Sequence, residues 1–395
     1  MRPVPLNLTA YTAVCAAGAG RAALLEALRT RTGALKPNDF TATPLPGSIG
    51  RVPELESEPL PRELAVYECR NNRLAWRGLR QDGFRERVAA ARSRYGAARV
   101  AVVLGTSTSS IGATEEGYRR LDATGQYPPD LRRPIVHTPH SLGEFVQRAL
   151  ALEGLCVTVA TACSSSAKAF AHAERLLRLE LADAAVVGGT DSLCGSVLYG
   201  FNSLQLVARE PCRPFDLHRD GISLGEAAGF ALLERDGAGP WLLGYGESSD
   251  AHHMSSPHPQ GLGARLAVEQ ALASAGLGAR AIDYINLHGT ASRKNDEIEG
   301  TLVADLFPAT TLASSTKGWT GHTLGAAGIL EAVITLLALE HSLAPGTLNL
   351  STPDPACGPR IRRDNEARPL AFALSNSFGF GGSNCVLAFG RTRPR

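Results

Sequence analysis

The stretch VTVATACSSSAKAFAHAERLL, residues 157–177, opens as an apolar β-branched run, passes through small residues and continues with helical spacing. The first part reads as a buried strand. Ser164, Ser165 and Ser166 can cap a helix, and Ala167, Phe170, Ala171 and Leu177 supply its inward stripe. Cys163 stands at the turn between the two. A cysteine there faces the free N–H groups and positive dipole end of the helix, which favour a thiolate. The position equally suits a small buried thiol at a strand end. On its own the stretch leaves both readings open.

Working outward, the same order recurs. Apolar runs precede small-residue clusters in ARVAVVLGTSTSS (98–110), ADAAVVGGTDS (182–192), IDYINLHGTAS (282–292) and LAFALSNSFGFGG (370–382). Helical spacing fills the intervals, as in SLGEFVQRALALEG (141–154) and GAAGILEAVITLLALE (325–340). This alternation predicts an α/β protein with buried strands. Residues 310–340 echo residues 157–177 as strand, turn and long helix. The echo suggests two related halves, 1–250 and 251–395, meeting near the polar connection GYGESSDAHHMSSPHPQG (244–261).

Composition narrows the function classes. The 395 residues carry 40 basic and 38 acidic side chains, a formal charge of +2. With no long block of one sign, nothing points to nucleic acid or to a membrane surface. No run reads as the roughly 18 to 20 apolar residues of a membrane helix, and the N-terminal stretch reads as a strand, not as a leader. The eight cysteines show no CxxC pair, so neither disulfides nor a structural zinc is expected, and the location read from these features is cytoplasmic.

Three further features can carry chemistry. His288 ends an apolar strand beside Gly289, where it can face a cleft or simply close the strand. In SSTKGWTGHTLGAAG (314–328), Lys317 and His322 share a glycine-rich turn that opens a helix. Glycines around Phe380 in SNSFGFGGSNC (375–385) permit a close backbone approach suited to an oxyanion donor or a mobile gate, and equally to a plain tight turn. Cys163, His288 and His322 are also zinc-type ligands, but without the short ligand pairing typical of such sites.

Taken in order, TACSSSAKAF (161–170), PFDLHRDGISLGEAAG (214–229), SSDAHHMSSPHP (248–259), NLHGTASRKNDEIE (286–299), STKGWTGHTLGAAG (315–328) and SNSFGFGGSNC resemble the motifs of the β-ketoacyl-acyl carrier protein synthases. These are condensing enzymes of the thiolase-like superfamily. The resemblance covers nearly the whole chain and implies a five-layered αβαβα core of two similar halves. It also implies roles. Cys163 would carry the acyl chain as a thioester, and His288 and His322 would act in decarboxylation of a malonyl unit. Lys317 would support the site electrostatically, with Asp296 and Glu299 in the shell around it. The Cys163 and Phe380 N–H groups would form an oxyanion hole, and Thr290, Ser292 and Gly381 would help hold substrate or shape the gate. No metal and no cofactor is implied.

The partners implied are an acyl carrier protein bearing phosphopantetheine-linked acyl and malonyl groups, and a second subunit. That subunit would be another copy or a chain-length-factor-like protein, as in aryl-polyene or type II polyketide systems; fatty acid synthesis is the other pathway open. Reading the chain itself as an inactive partner of that kind is opposed by Cys163. Arg62, Arg70, Arg73 and Lys294 are candidates for a basic docking patch. Ile222 stands where the family commonly has an aromatic residue and Ala227 where glycine is usual, which bears on substrate preference. Thr108 is expected at the pocket end near the subunit interface.

Overall fold

The computed structural model describes residues 3–394; residues 1, 2 and 395, at the ends of the two expected halves, lie outside the described residues. Ten strands form the path of the main sheet, and five come from the first part of the chain: β1 (Leu6–Cys15), β2 (Val100–Gly105), β3 (Cys156–Val159), β4 (Ala184–Asp191) and β5 (Ala227–Glu234). Five follow in the second: β6 (Trp241–Ser249), β7 (Tyr284–Asn286), β8 (Leu312–Ser314), β9 (Phe372–Phe378) and β10 (Ser383–Gly390).

Their order across the sheet is β3-β2-β4-β5-β1 and then β6-β10-β9-β7-β8. Each half therefore places its third, second, fourth, fifth and first strands side by side. Each also repeats the directions, with two parallel pairings on the outer side and two antiparallel ones inward. Within the sheet the two halves are joined where Leu6 and Asn7 pair with Leu242 and Trp241. The repeat restarts at Trp241, and we propose that the halves divide in the turn between β5 and β6 instead of near residue 250.

Period-two alternation sorts the side chains. In β2, Val100, Val102 and Leu104 face one core, while Ala101 and Val103 face another. In β10, Cys385, Leu387 and Phe389 face the same shared core, and Val386 and Ala388 the third. The inner strands are buried on both faces, which is why they read as nearly unbroken apolar runs. The edge strand β3, expected to be buried, is only half-buried because no strand pairs with its outer side within the chain. Helices α1 (Arg70–Leu79), α2 (Phe84–Tyr95) and α3 (Ser141–Ala149) cover the first half-sheet. Helices α6 (Leu262–Ala275) and α7 (Arg293–Leu306) cover the second. Between the half-sheets lie α4 (Ser165–Arg178) and α8 (Ala327–His341), giving the five-layered α/β thiolase-like arrangement. A further helix, α5 (Gly195–Ser203), packs beside the site.

The segment Leu324–His341, which ends in α8, corrects one expectation. By length and mean hydropathy it could cross a membrane, yet 89% of it is buried inside the protein. It is apolar all round because it is packed on every side by both half-sheets. It also crosses α4 at very short range: a Cβ on Gly328 would lie 2.5 Å from the Ala167 nitrogen. The Ile329 N–H donates to the Ser166 hydroxyl there at 2.9 Å. Glycine at that crossing lets the two helix starts approach.

Candidate active site

The two turns that precede α4 and α8 bring two of the candidate residues together. Cys163 is 5% exposed and follows Ala162, held in the left-handed region at φ 52°. The sharp turn points its sulfur into a cavity of about 490 Å3 instead of along the strand. His322 precedes α8, with its Nε2 2.9 Å from the Cys163 Sγ. His288, just beyond β7, presents its ring to that of His322 at 5.3 Å between centroids and 88° between planes. The three offer ligand atoms within 4.8 Å of one another, the one such group among the described residues. A tetrahedral zinc, with bonds of about 2.3 Å to sulfur and 2.0 Å to nitrogen, would hold such atoms about 3.5 Å apart. The 2.9 Å separation is that of a direct hydrogen bond.

Both imidazoles are neutral. Burial and the Lys317 charge hold His288 well below its ordinary range, with His322 adding to the effect, and the same two causes act on His322. Neither Nδ1 has a hydrogen-bond partner. A bare lone pair is tolerated in a protein interior more readily than an orphaned N–H, so we assign the proton of each ring to Nε2. His322 then donates to the sulfur, and both rings offer an N–H to the cavity.

The thiol itself is pushed up to about 11 by burial, against the Phe380 N–H and the Lys317 charge, which pull it down; Asp191 and Glu331 add to the rise. The helix end expected to favour a thiolate is thus opposed by desolvation.

The Phe380 turn, between β9 and β10, approaches from the other side. A Cβ on Gly379 would lie 3.0 Å from the Thr161 carbonyl and 3.3 Å from the Cys163 nitrogen. Gly381 and Gly382 both take φ 76°, a conformation that glycine adopts freely. The Phe380 ring stacks on Phe201 of α5 at 5.6 Å and 21°. Ile222, Thr290 and Ser292 line the cavity, Thr290 and Ser292 joined through their hydroxyls at 2.9 Å.

Other expected residues fall elsewhere. Lys317 is buried behind His288, donating to the His288 carbonyl and to the Glu331 carboxylate. Glu299 accepts the His288 and Gly289 N–H groups at 2.8 and 2.7 Å and so fixes the backbone of that turn. Asp296 instead accepts the Phe215 N–H at 2.8 Å and faces buried Arg219 at 3.7 Å. Lys317's carboxylate partner is therefore Glu331. Thr108 does not line the cavity; its N–H and hydroxyl are spent on Asp191 at 3.0 and 2.8 Å. Ala227 is fully buried in the sheet, paired with Cys15 and Asp191, away from the cavity. Arg70 is held by Glu226 and Glu56, and Arg73 by Glu68 at 2.5 Å. Arg62 and Lys294 are exposed, and Lys294 stands with Arg293 at the cavity wall.

Sequence reasoning missed Glu331, Phe201 and Asp191. A lone carboxylate inside the apolar run of α8 was a signal for the first. The other two gave none.

Two family matches run end to end along this frame. The β-ketoacyl synthase N-terminal domain matches residues 68–238 and the β-ketoacyl synthase C-terminal domain residues 241–351. The 3-oxoacyl-[acyl-carrier-protein] synthase 2 of Vibrio cholerae is 34% identical over 322 residues, 75% of this chain and 76% of that protein. The chain belongs to the β-ketoacyl synthase family. The mitochondrial 3-oxoacyl-[acyl-carrier-protein] synthase of Arabidopsis thaliana is 40% identical over 252 residues, but that match spans only 58% of this chain and 55% of the plant protein. Among solved structures, the ketosynthase in complex with its chain length factor from Xenorhabdus doucetiae shares 35% identity and a TM-score of 0.88, with 98% of each chain covered. The β-ketoacyl synthase fold thus spans the whole chain, and the paired turns before α4 and α8 lie at its centre.

Proposed function

We propose that this β-ketoacyl synthase is an elongating 3-oxoacyl-ACP synthase, an acyltransferase in which Cys163 carries the growing chain. The observation that carries the reading is the 2.9 Å contact between a buried cysteine and a neutral histidine, with a second neutral histidine perpendicular to it. The Cys163 sulfur attacks the carbonyl of an acyl thioester on the carrier protein. The pantetheine thiol leaves with the proton, and the acyl group becomes a Cys163 thioester. A malonyl thioester then enters and loses carbon dioxide. The electron pair left behind forms an enolate, whose oxygen accepts from the Nε2–H groups of His288 and His322. Its carbon attacks the Cys163 thioester, and the tetrahedral oxyanion accepts from the Cys163 and Phe380 N–H groups. Collapse releases the Cys163 sulfur and a chain longer by two carbons. Lys317 acts from behind His288 as a fixed positive charge, and Glu299 positions the His288 turn.

The carrier protein is the partner at the cavity mouth, where Arg293 and Lys294 suit an acidic surface. The second subunit is a chain-length-factor-like protein or another copy. The likeness to a ketosynthase solved with its chain length factor supports the heterodimer. A purely structural role for this chain is opposed by the intact Cys163, His288 and His322 set. The cytoplasm is the proposed location, supported by eight cysteines that are all free thiols.

Mass spectrometry tests the function. Incubation with acyl-carrier protein should add one acyl mass to Cys163 and none to Cys163→Ala; the absence of any adduct on the native chain, with its partner subunit supplied, would overturn the reading.

A further inference from the structure

Asp191 closes β4 and is fully buried. Its carboxylate accepts the backbone N–H groups of Ser107 at 2.9 Å, Thr108 at 3.0 Å and Gly325 at 2.6 Å. It also accepts the hydroxyls of Thr106, Ser107 and Thr108. Only donors converge on it. One side chain thus joins two turns far apart in the chain: the one after β2 and the one that follows His322.

The second turn is where His322 gets its place. With no partner at Nδ1, the ring has no side-chain bond to orient it from behind. Its position depends on its backbone. Upstream, the His322 N–H donates to the Ser223 carbonyl at 2.7 Å, and its own carbonyl accepts the Gly225 N–H at 3.0 Å. Downstream, Leu324 sits in the left-handed region at φ 54°, a state that persists only where the surroundings hold it. The bond from the Gly325 N–H to Asp191 is that hold. The junction is tight: a Cβ on Gly325 would lie 2.6 Å from the Asp191 Oδ2 and 2.6 Å from the Ser107 nitrogen.

We propose that Asp191 is a positioning residue for the condensation, setting His322 over Cys163 by anchoring the 323–326 turn against the 106–108 turn. It touches no reacting atom. The inference rests on the roles given above to Cys163 and His322.

The test separates two half-reactions. In Asp191→Asn an amide replaces an acceptor where only donors converge. Malonyl decarboxylation should fall about 30-fold or more through kcat. Acylation of Cys163 should stay within about three-fold. Amide hydrogen exchange across residues 323–326 should quicken by about ten-fold or more. Asp191→Glu, which keeps both oxygens, should recover decarboxylation to within about ten-fold. If Asp191→Asn does not fold, Gly325→Ala strains the same junction from the other side and should show the same split. A parallel loss of both half-reactions, or unchanged exchange in the turn, would overturn the proposal. A native protein that neither takes an acyl group nor decarboxylates malonyl thioester would sink the functional reading instead, and exchange would still decide whether Asp191 anchors the turn.

Discussion

The Nε2 of His322 lies 2.9 Å from the Sγ of Cys163, across 159 positions of chain. The contact exists because α4 and α8 begin side by side in the central layer, each preceded by the turn that carries one of the two residues. Cys163 comes from one half of the fold and His322 from the other, so the site is built at their junction and neither half holds it alone.

Replacing His322 by alanine removes one of the two donors proposed for the enolate oxygen. Decarboxylation should drop by about 10²–10³-fold, the usual effect of losing one such donor, while Cys163 remains partly able to take an acyl group. Radiolabelled malonyl-carrier protein measures the first and intact-protein mass the second. Loss of acylation with decarboxylation preserved would contradict the assigned role.

Cys163→Gln should abolish condensation yet retain or raise malonyl decarboxylation. The amide stands where the thioester would and leaves both histidines in place. Carbon dioxide release without chain extension is the expected pattern, and a variant silent in both assays would count against the scheme.

The Cys163 thiol, raised to about 11 by burial, should be mostly protonated at neutral pH in the empty enzyme. A thiol gains thiolate about ten-fold per pH unit until its pKa is reached. Iodoacetamide should therefore inactivate faster at each step from pH 7 to 9.5 with no plateau. A plateau below pH 8 would show that the helix end outweighs burial after all.

Glu331 and Lys317 form a buried pair. Removing one member leaves a buried group uncompensated, so Lys317→Met should cost about 3–5 kcal/mol of stability, and the double variant Lys317→Met with Glu331→Leu should cost less. Burial pushes Glu331 up from 4.5 to about 7 against the pull of Lys317. The folded state then keeps a proton that the unfolded chain has released. Its contribution is present below about pH 4.5 and is lost as pH rises through about 7. Urea midpoints at pH 5 and pH 7.5 should differ more in the native protein than in Glu331→Gln.

Ile222 is 3% exposed and lines the cavity beside Phe201. Ile222→Phe fills part of that space, so kcat/KM should fall about ten-fold for long or bulky acyl groups and change little for short ones. Steady-state rates across an acyl-carrier protein series measure this, and a uniform loss across the series would point to general disruption.

The order of strands, turns and helices was legible in the sequence, because apolar runs and helical spacing are local patterns and the inner strands are buried on both faces. For the same reason Cys163 was visible at a strand-to-helix turn, and the glycines of the Phe380 turn at a place needing positive φ. The membrane-like composition of α8 shows the limit of that reading: an apolar stretch says that it is buried, and only its neighbours say in what.

Pairings across long stretches of chain were decided by the tertiary structure. Lys317 could have met any nearby acid, and the helix turn of α8 put Glu331 there while Arg219 took Asp296. Arg70 and Arg73 looked free as basic residues, yet carboxylates brought in by folding hold both. The Thr108 hydroxyl meets Asp191 from a turn 83 positions away. The sequence by itself predicted an α/β fold with two echoing halves, and its family resemblance brought a cysteine, two histidines and a glycine-rich turn together as one expected site. Which atoms meet, and that burial would raise the thiol and keep the histidines neutral, depended on where the central helices cross, since hydrogen bonds and desolvation act over a few ångströms in space whatever the separation along the chain.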